Sequence, residues 1–256
     1  MILHSQIIGE GKPFIILHGF LGMGDNWKTL GKKFSELGYQ VHLVDQRNHG
    51  RSFHHTDFSY EIMANDLNEY LIHHNLNEVV LLGHSMGGKT AMYFATTYPD
   101  KVKQLIVADI APKEYPSHHQ DILKALHSLD FAEINKRSEA DEVLSVYIKE
   151  WGTRQFLLKN LYWKEKGLLD LRMNLEVLSE KIDEIGKALP QDKTYHGETL
   201  FLGGQNSNYI DSIDALSIPM HFPKAKIETV SEAGHWLHAD NPTEFFEKVT
   251  NFLKSS

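Results

Sequence analysis

The chain of 256 residues contains no cysteine. Disulfides, thiolate-held zinc and a cysteine nucleophile are therefore excluded. It also lacks any run of about twenty apolar residues, so no segment is expected to span a bilayer. Positive charge is in the minority: 26 Lys and Arg stand against 34 Asp and Glu, for a net charge of −8. That balance does not suit a phosphate backbone, and nucleic acid is not an expected partner. None of the 16 histidines falls in an HExxH pattern, so no metal is expected, and no other cofactor either. The first residues, MILHSQIIGEGKPFIILHG, lack the basic start and long apolar run of a signal peptide, which makes a cytoplasmic location the expectation.

What the chain does contain is a rhythm. Short apolar runs recur at residues 13–19, 39–45, 77–83, 103–109, 198–204 and 225–231. Each is rich in aliphatic side chains and ends at or near a Gly or Asp, as strands of a parallel sheet buried on both faces do. Segments of helical period lie between them, such as YEIMANDLNEYLIHHN with Ile62, Met63, Leu67, Tyr70 and Leu71 on one face. Strands alternating with helices predict an α/β fold, a mostly parallel, doubly wound sheet. LHSQII (3–8) is a candidate antiparallel edge strand.

The alternation stops between residues 112 and 195. DILKALHSL, SEADEVLSVYIKEW, RQFLLKNLYWK and MNLEVLSEKIDEIGKAL all read as helix, and Ser138 with Asp141 resembles a capping box. The expected organisation is a core formed by residues 1–111 and 196–256, with 112–195 inserted as a helical cap after the strand ending at Asp109. Phe156, Leu157, Tyr162 and Trp163 are candidates for an apolar pocket in that cap, with packing inside the cap as their alternative fate.

Residues 83–90, GHSMGGKT, fit two templates. As a P-loop, Lys89 would reach phosphates, Thr90 would hold magnesium and Asp109 would serve as the Walker-B acid. As a nucleophile elbow, Gly83-x-Ser85-x-Gly87 would present a serine on a sharp strand-to-helix turn. The P-loop reading places the motif after three strands and about 20 positions before Asp109, too few for an intervening strand. It also leaves His235 and the early HGF motif without roles. A second Gly-rich turn, Gly19, Gly22 and Gly24, has the wrong spacing for a dinucleotide fingerprint.

The elbow reading assigns each part of an acyl-transfer site. Ser85 is the nucleophile, and the Met86 N–H at the start of the following helix is one oxyanion donor. LHGF (17–20) supplies the second, the N–H of Phe20. The base comes late in the chain: His235 in EAGHWLHAD, with His238 as competitor. The acid is Asp109 at the end of KQLIVAD, or Asp211 in the loop GGQNSNYID, with Asp214 further on. The pairs His54-His55, His73-His74 and His118-His119 read as a solvated face.

GHSMGGK (83–89), DQRNHGRS (45–52), ADIAP (108–112), RQFLLKN (154–160), GGQNS (203–207) and AGHWLHA (233–239) together resemble the YbfF-like esterases, small bacterial members of the α/β-hydrolase superfamily. The resemblance implies Ser85 as nucleophile, Asp109 as acid, His235 as base and Phe20 and Met86 as oxyanion donors. It places Ser207 close to the histidine and makes Arg47 and Asn48 loop-fixing residues. The activity it implies is hydrolysis of short- to medium-chain acyl esters or thioesters, with a small-molecule ester as the partner. Haloperoxidase-like chemistry, carbon–carbon bond hydrolysis and a non-catalytic binding role on the same scaffold are the alternatives.

Overall fold

The computed structural model describes residues 1–117 and 119–255. One member of the expected histidine pairs, His118, lies outside the described residues. In chain order the elements are β1 (Ser5–Ile8), β2 (Lys12–Leu17), α1 (Lys28–Ser35), β3 (Tyr39–Val44), α2 (Tyr60–His73), β4 (Val79–His84), α3 (Met86–Thr97) and β5 (Val102–Ala108). Then follow α4 (Gln120–His127), α5 (Arg137–Tyr147), α6 (Trp151–Leu158), β6 (Leu161–Glu165), β7 (Leu168–Leu171), α7 (Leu175–Glu180) and α8 (Ile182–Gly186). The chain ends with β8 (Glu198–Gly204), α9 (Asp214–His221), β9 (Ala225–Val230), α10 (Leu237–Asp240) and α11 (Pro242–Lys254).

Seven strands form one sheet in the order β1-β3-β2-β4-β5-β8-β9. Only β1 runs antiparallel, pairing Ser5 with Val44 and Ile8 with Val41. The strand period of two divides the apolar side chains between the faces. Phe14 and Ile16 of β2 pack into one core with Trp27, Phe34 and Phe245; Ile15 and Leu17 pack into the other with Tyr70, Leu81 and Phe94. Both faces are covered, so the strands read as continuous apolar runs. After β3 the chain returns to the far side of β2 to form β4. The carboxyl ends of β2 and β4 therefore flank the reversal of strand order, where such sheets open a crevice.

Segment 112–195 departs from the expectation that it is all helix. RQFLLKNLYWK splits: α6 stops at Leu158, and Leu161–Glu165 pairs with Leu168–Leu171 as a hairpin. Glu165 lies opposite Leu168, leaving Lys166 and Gly167 as the turn, and Gly167 adopts φ 87°. A two-residue loop with a positive-φ glycine is a strong hairpin signal, and it overrides the helical tendency of the flanking lysines and leucines. The Ser138–Asp141 capping box is not formed. Ser138 lies inside α5, Asp141 pairs with Arg154 at 2.6 Å, and it is Glu139 that accepts from the Asn135 N–H at 2.7 Å. Among the described residues no helix is long and apolar enough to cross a membrane.

The loop after β3 is held by charge. Arg47 donates through Nε and Nη2 to both oxygens of Asp66, at 2.5 and 2.7 Å, and through Nη1 to the Asp57 carbonyl at 2.7 Å. Asn48, at φ 62°, exchanges two bonds with the backbone of His55 and accepts the Asn174 N–H on its carbonyl at 2.9 Å. The Arg47 side chain is only 8% exposed and that of Asp66 13%. Breaking a pair this buried strands one charge. Arg47→Ala is expected to cost roughly 3 kcal/mol of stability, read as a lower urea midpoint, whereas removal of both charges costs less.

Candidate active site

The turn from β4 into α3 holds Ser85 at φ 53°, ψ −118°, a conformation that L-residues avoid. The turn is possible because its neighbours are glycines. A Cβ on Gly83 would collide with the Gly87 carbonyl, and one on Gly87 would collide with the Leu17 and His18 carbonyls of the adjacent strand end. Gly88 is needed for close packing, since its Cβ would meet Ile110 at 2.6 Å. The Ser85 N–H bonds the Ala108 carbonyl at 2.9 Å, which ties the turn to β5. The hydroxyl is thereby lifted to the carboxyl edge of the sheet.

His235 arrives from the loop after β9. Its Nε2 lies 3.0 Å from Ser85 Oγ, and its Nδ1 lies 2.7 Å from Asp109 Oδ2. Asp109 is completely buried and sits at φ 50° directly after β5. Its second oxygen, Oδ1, accepts the Gly204 N–H at 2.9 Å, and Ser207 Oγ donates to Oδ2 at 2.5 Å. Because a carboxylate accepts only, Nδ1 of His235 carries the proton and Nε2 is left to accept from the serine. The structure brings Ser85, His235 and Asp109 into one hydrogen-bonded line. Ser207 binds the carboxylate rather than the imidazole.

The alternatives are placed elsewhere. Asp211 accepts the backbone N–H groups of Ile213 and Asp214 and pairs with Lys113 at 3.0 Å, while buried Asp214 takes the same ammonium at 2.7 Å. Neither carboxylate bonds His235. His238 is half-buried and stacks on Trp27, with centroids 4.1 Å apart, and it bonds neither Ser85 nor Asp109. The P-loop roles fail on direction: Lys89 Nζ donates to the Lys113 and Lys187 carbonyls, and Thr90 Oγ1 bonds the Met86 carbonyl at 3.2 Å. Both side chains point into the protein, away from the turn.

Phe20 and Met86 stand on either side of Ser85. Among the described residues, their N–H groups donate to no protein acceptor. The loop that carries Phe20 is fixed by partners that sequence reasoning did not identify. His18 donates from Nδ1 to the Gly19 carbonyl at 2.8 Å and accepts the Gln46 N–H on Nε2 at 3.0 Å. Asn160, the last residue of RQFLLKN, donates to the Leu21 carbonyl at 2.9 Å, and Leu21 itself sits at φ 59°. His84 donates from Nε2 to the His235 carbonyl at 2.7 Å, and the Tyr209 ring stacks on the His235 ring at 3.9 Å and 19°. His18, Gln46, His84, Asn160 and Tyr209 all lie within or beside the sequence motifs, but nothing in those motifs tells which partner each side chain meets.

A cavity of about 610 Å³ opens at Ser85 and His235. Phe20, Leu21, Ile122, Phe156, Leu157 and Trp236 line its apolar part, with Trp151 at the rim. Of the four expected pocket residues, Phe156 and Leu157 line it. Tyr162 and Trp163 do not: Tyr162 packs under Arg172, and Trp163 is exposed on the hairpin. His54 and His73 are exposed, as expected of a solvated face, but His55 and His74 are half-buried, His74 against Tyr70, and half-buried His119 sets its ring edge-on to Phe20 at 5.1 Å and lines the cavity.

The fold and the cluster at its strand ends define a serine hydrolase of the α/β-hydrolase type. A family model described as alpha/beta hydrolase fold matches residues 12–143, and the chain belongs to that family. It is 42% identical over 246 residues to the sn-1-specific diacylglycerol lipase ABHD11 of Mus musculus, spanning 93% of this chain and 80% of that protein. It is 29% identical over 247 residues to Esterase YbfF of Escherichia coli, spanning 95% of this chain and 94% of that one. Among solved structures, a marine microorganism esterase superposes with a TM-score of 0.95 at 45% identity, over 98% of this chain and 99% of that chain.

Burial pushes the pKa of His84 down to about 3, aided by neighbouring His235, and burial does the same for His49, aided by His18. Both stay neutral in the folded protein while the unfolded chain takes up protons below about 6.5. Their contribution is complete above that value and is lost as pH falls towards 3. Stability measured by urea unfolding should therefore drop between pH 7 and pH 5 by about 2 kcal/mol for each of the two. His84→Gln should flatten that dependence; an unchanged slope would place the cost elsewhere.

Proposed function

We propose that the chain is a serine carboxylesterase acting on short- to medium-chain acyl esters, thioesters included, through an acyl-enzyme on Ser85. The observation that carries this reading is the line Ser85–His235–Asp109, at 3.0 and 2.7 Å, opening into an apolar cavity of about 610 Å³. In the proposed reaction His235 takes the Ser85 proton as Oγ attacks the ester carbonyl. Asp109 holds the imidazole tautomer and stabilises the imidazolium. The N–H groups of Phe20 and Met86 receive the oxyanion, a preorganised pair that needs no reorientation as charge develops. His235 then protonates the leaving alcohol or thiol and, in the second half, activates the water that releases the acid.

Residues 112–195 act as the cap in this reading, over a core of 1–111 and 196–256. What supports the division is that α4 and α6 of the segment supply Ile122, Phe156 and Leu157 to the cavity, while Ser85 and His235 belong to loops of the sheet. The names of the relatives, an esterase and a diacylglycerol lipase, extend the expected substrates to glycerol esters.

Ser85→Ala should abolish hydrolysis of nitrophenyl esters and labelling by a fluorophosphonate; turnover retained in that variant would overturn the proposal. Asp109→Asn should lower kcat by about 10⁴ with the fold intact, and Asp211→Asn should leave kcat within about threefold, because surface substitutions away from the reacting groups act weakly. A series of acyl chain lengths, with a diacylglycerol included, reads out the substrate range directly.

A further inference from the structure

Lys89 lies in the first turn of α3, four residues after Ser85, and has no exposed surface. No carboxylate among the described residues comes within ion-pairing distance of it. Its ammonium donates instead to two main-chain carbonyls, those of Lys113 and Lys187, the latter at 2.7 Å, and lies 5.1 Å from the centre of the Tyr115 ring. Lys113 and Lys187 are the two ends of one excursion. The chain leaves the sheet just before Lys113 and begins its return at Lys187, and those two strands of the neck are bonded to each other. Leu189 N–H reaches the Pro112 carbonyl, and Tyr115 N–H reaches the Gly186 carbonyl, both at 2.8 Å. Tyr60 and Tyr93 add their hydroxyls to the Ile185 and Ala188 carbonyls at 2.7 and 3.0 Å.

From the neck a short path leads to the imidazole. The Tyr115 hydroxyl accepts the Ala111 N–H at 2.9 Å and donates to the Tyr209 carbonyl at 2.5 Å. The Tyr115 and Tyr209 rings stack at 5.3 Å, and Tyr209 in turn stacks on His235 at 3.9 Å. We propose that Lys89 is a positioning residue: its ammonium fixes both strands of the neck to the helix that carries Ser85, and through Tyr115 and Tyr209 it holds the His235 ring in line with Ser85 and Asp109. The inference rests on the triad proposed above.

Electrostatics agree with a positioning role. Burial pulls the Lys89 pKa down to about 7, a shift that Glu114 and Asp214 only partly offset. A cation desolvated without a carboxylate partner lowers stability relative to an apolar side chain of the same shape. Stability alone therefore gives no reason for a lysine here. Two carbonyls on separate strands need a long donor with several hydrogens, which an ammonium supplies.

The test uses the full chain. Lys89→Met keeps the volume and removes the donor. It should lower kcat for a short nitrophenyl ester by about tenfold and leave KM within twofold. Tyr115→Phe, which keeps Lys89 and the ring stack but removes the hydroxyl that bonds the Tyr209 carbonyl and the Ala111 N–H, should lower kcat similarly. The double variant should be no worse than the poorer single one, since groups acting in one chain are not additive. Lys89→Arg should recover part of kcat. If Lys89→Met does not fold, Tyr115→Phe and its fluorophosphonate labelling rate decide alone. A kcat equal to wild type in either folded single variant, effects that multiply in the double, or a loss confined to KM would overturn the inference. Wild-type protein that a fluorophosphonate fails to label would instead overturn the hydrolase reading on which it rests.

Discussion

A carboxylate with no access to solvent sits where three chain segments meet. Asp109 leaves β5 in the left-handed region, offers one oxygen to the Gly204 N–H at the end of β8, and offers the other to His235 and Ser207. Buried charge survives only when its lone pairs are satisfied, and here three donors satisfy them, one from the end of β8 and one from each of two loops. The cost of leaving any of them unmade fixes the end of β8, the loop after it and the loop after β9 relative to β5. The proposed base is therefore oriented by the same interaction that closes this part of the sheet. Asp211 could not do this, because its oxygens are committed to the start of α9 and to Lys113.

The opposite side of the site is set by sterics rather than charge. The Ser85 turn brings the start of α3 against the ends of β2 and β4 so closely that Gly83 and Gly87 admit no side chain. That proximity places the Met86 N–H beside the loop carrying Phe20. The loop in turn is held by His18, Gln46 and Asn160. Asn160 belongs to the segment between β5 and β8, and so does Asn174, which bonds Asn48. The segment is thus joined to the core at the loops after β2 and β3 as well as at the neck around Lys89. Its apolar side chains are delivered to the cavity by these polar attachments.

The central strands were legible because both faces of the sheet are covered there, which makes β2, β4, β5 and β8 largely apolar runs. Ser85 and His235 were legible as candidates because each stands in a turn beyond a strand next to glycines, whereas Asp109 was legible only as one of two acids. His238 could be set aside only in three dimensions, where it is stacked on Trp27 and it is His235 that meets Ser85 and Asp109. The hairpin at 161–171 is not legible in the sequence because its strands, LYWKE and LLDL, carry no clean alternation and continue the helical pattern of α6, and the positive φ of Gly167 shows only in the structure. Tyr162 and Trp163 went with it, away from the cavity.

By itself the sequence determined the sheet, its rhythm and the residue types at the strand ends, since these follow from local periodicity and from the backbone freedom of glycine. Only the tertiary structure decided which acid faces His235, which aromatic rings meet the cavity, and where Lys89 points. Those are contacts between segments from about 24 to 150 residues apart in the chain, and local preference says nothing about a partner that distant. GHSMGGKT shows the division most directly. Its glycines carry the elbow in one dimension, whereas its lysine acquires meaning only when both ends of an excursion of more than seventy residues return to it.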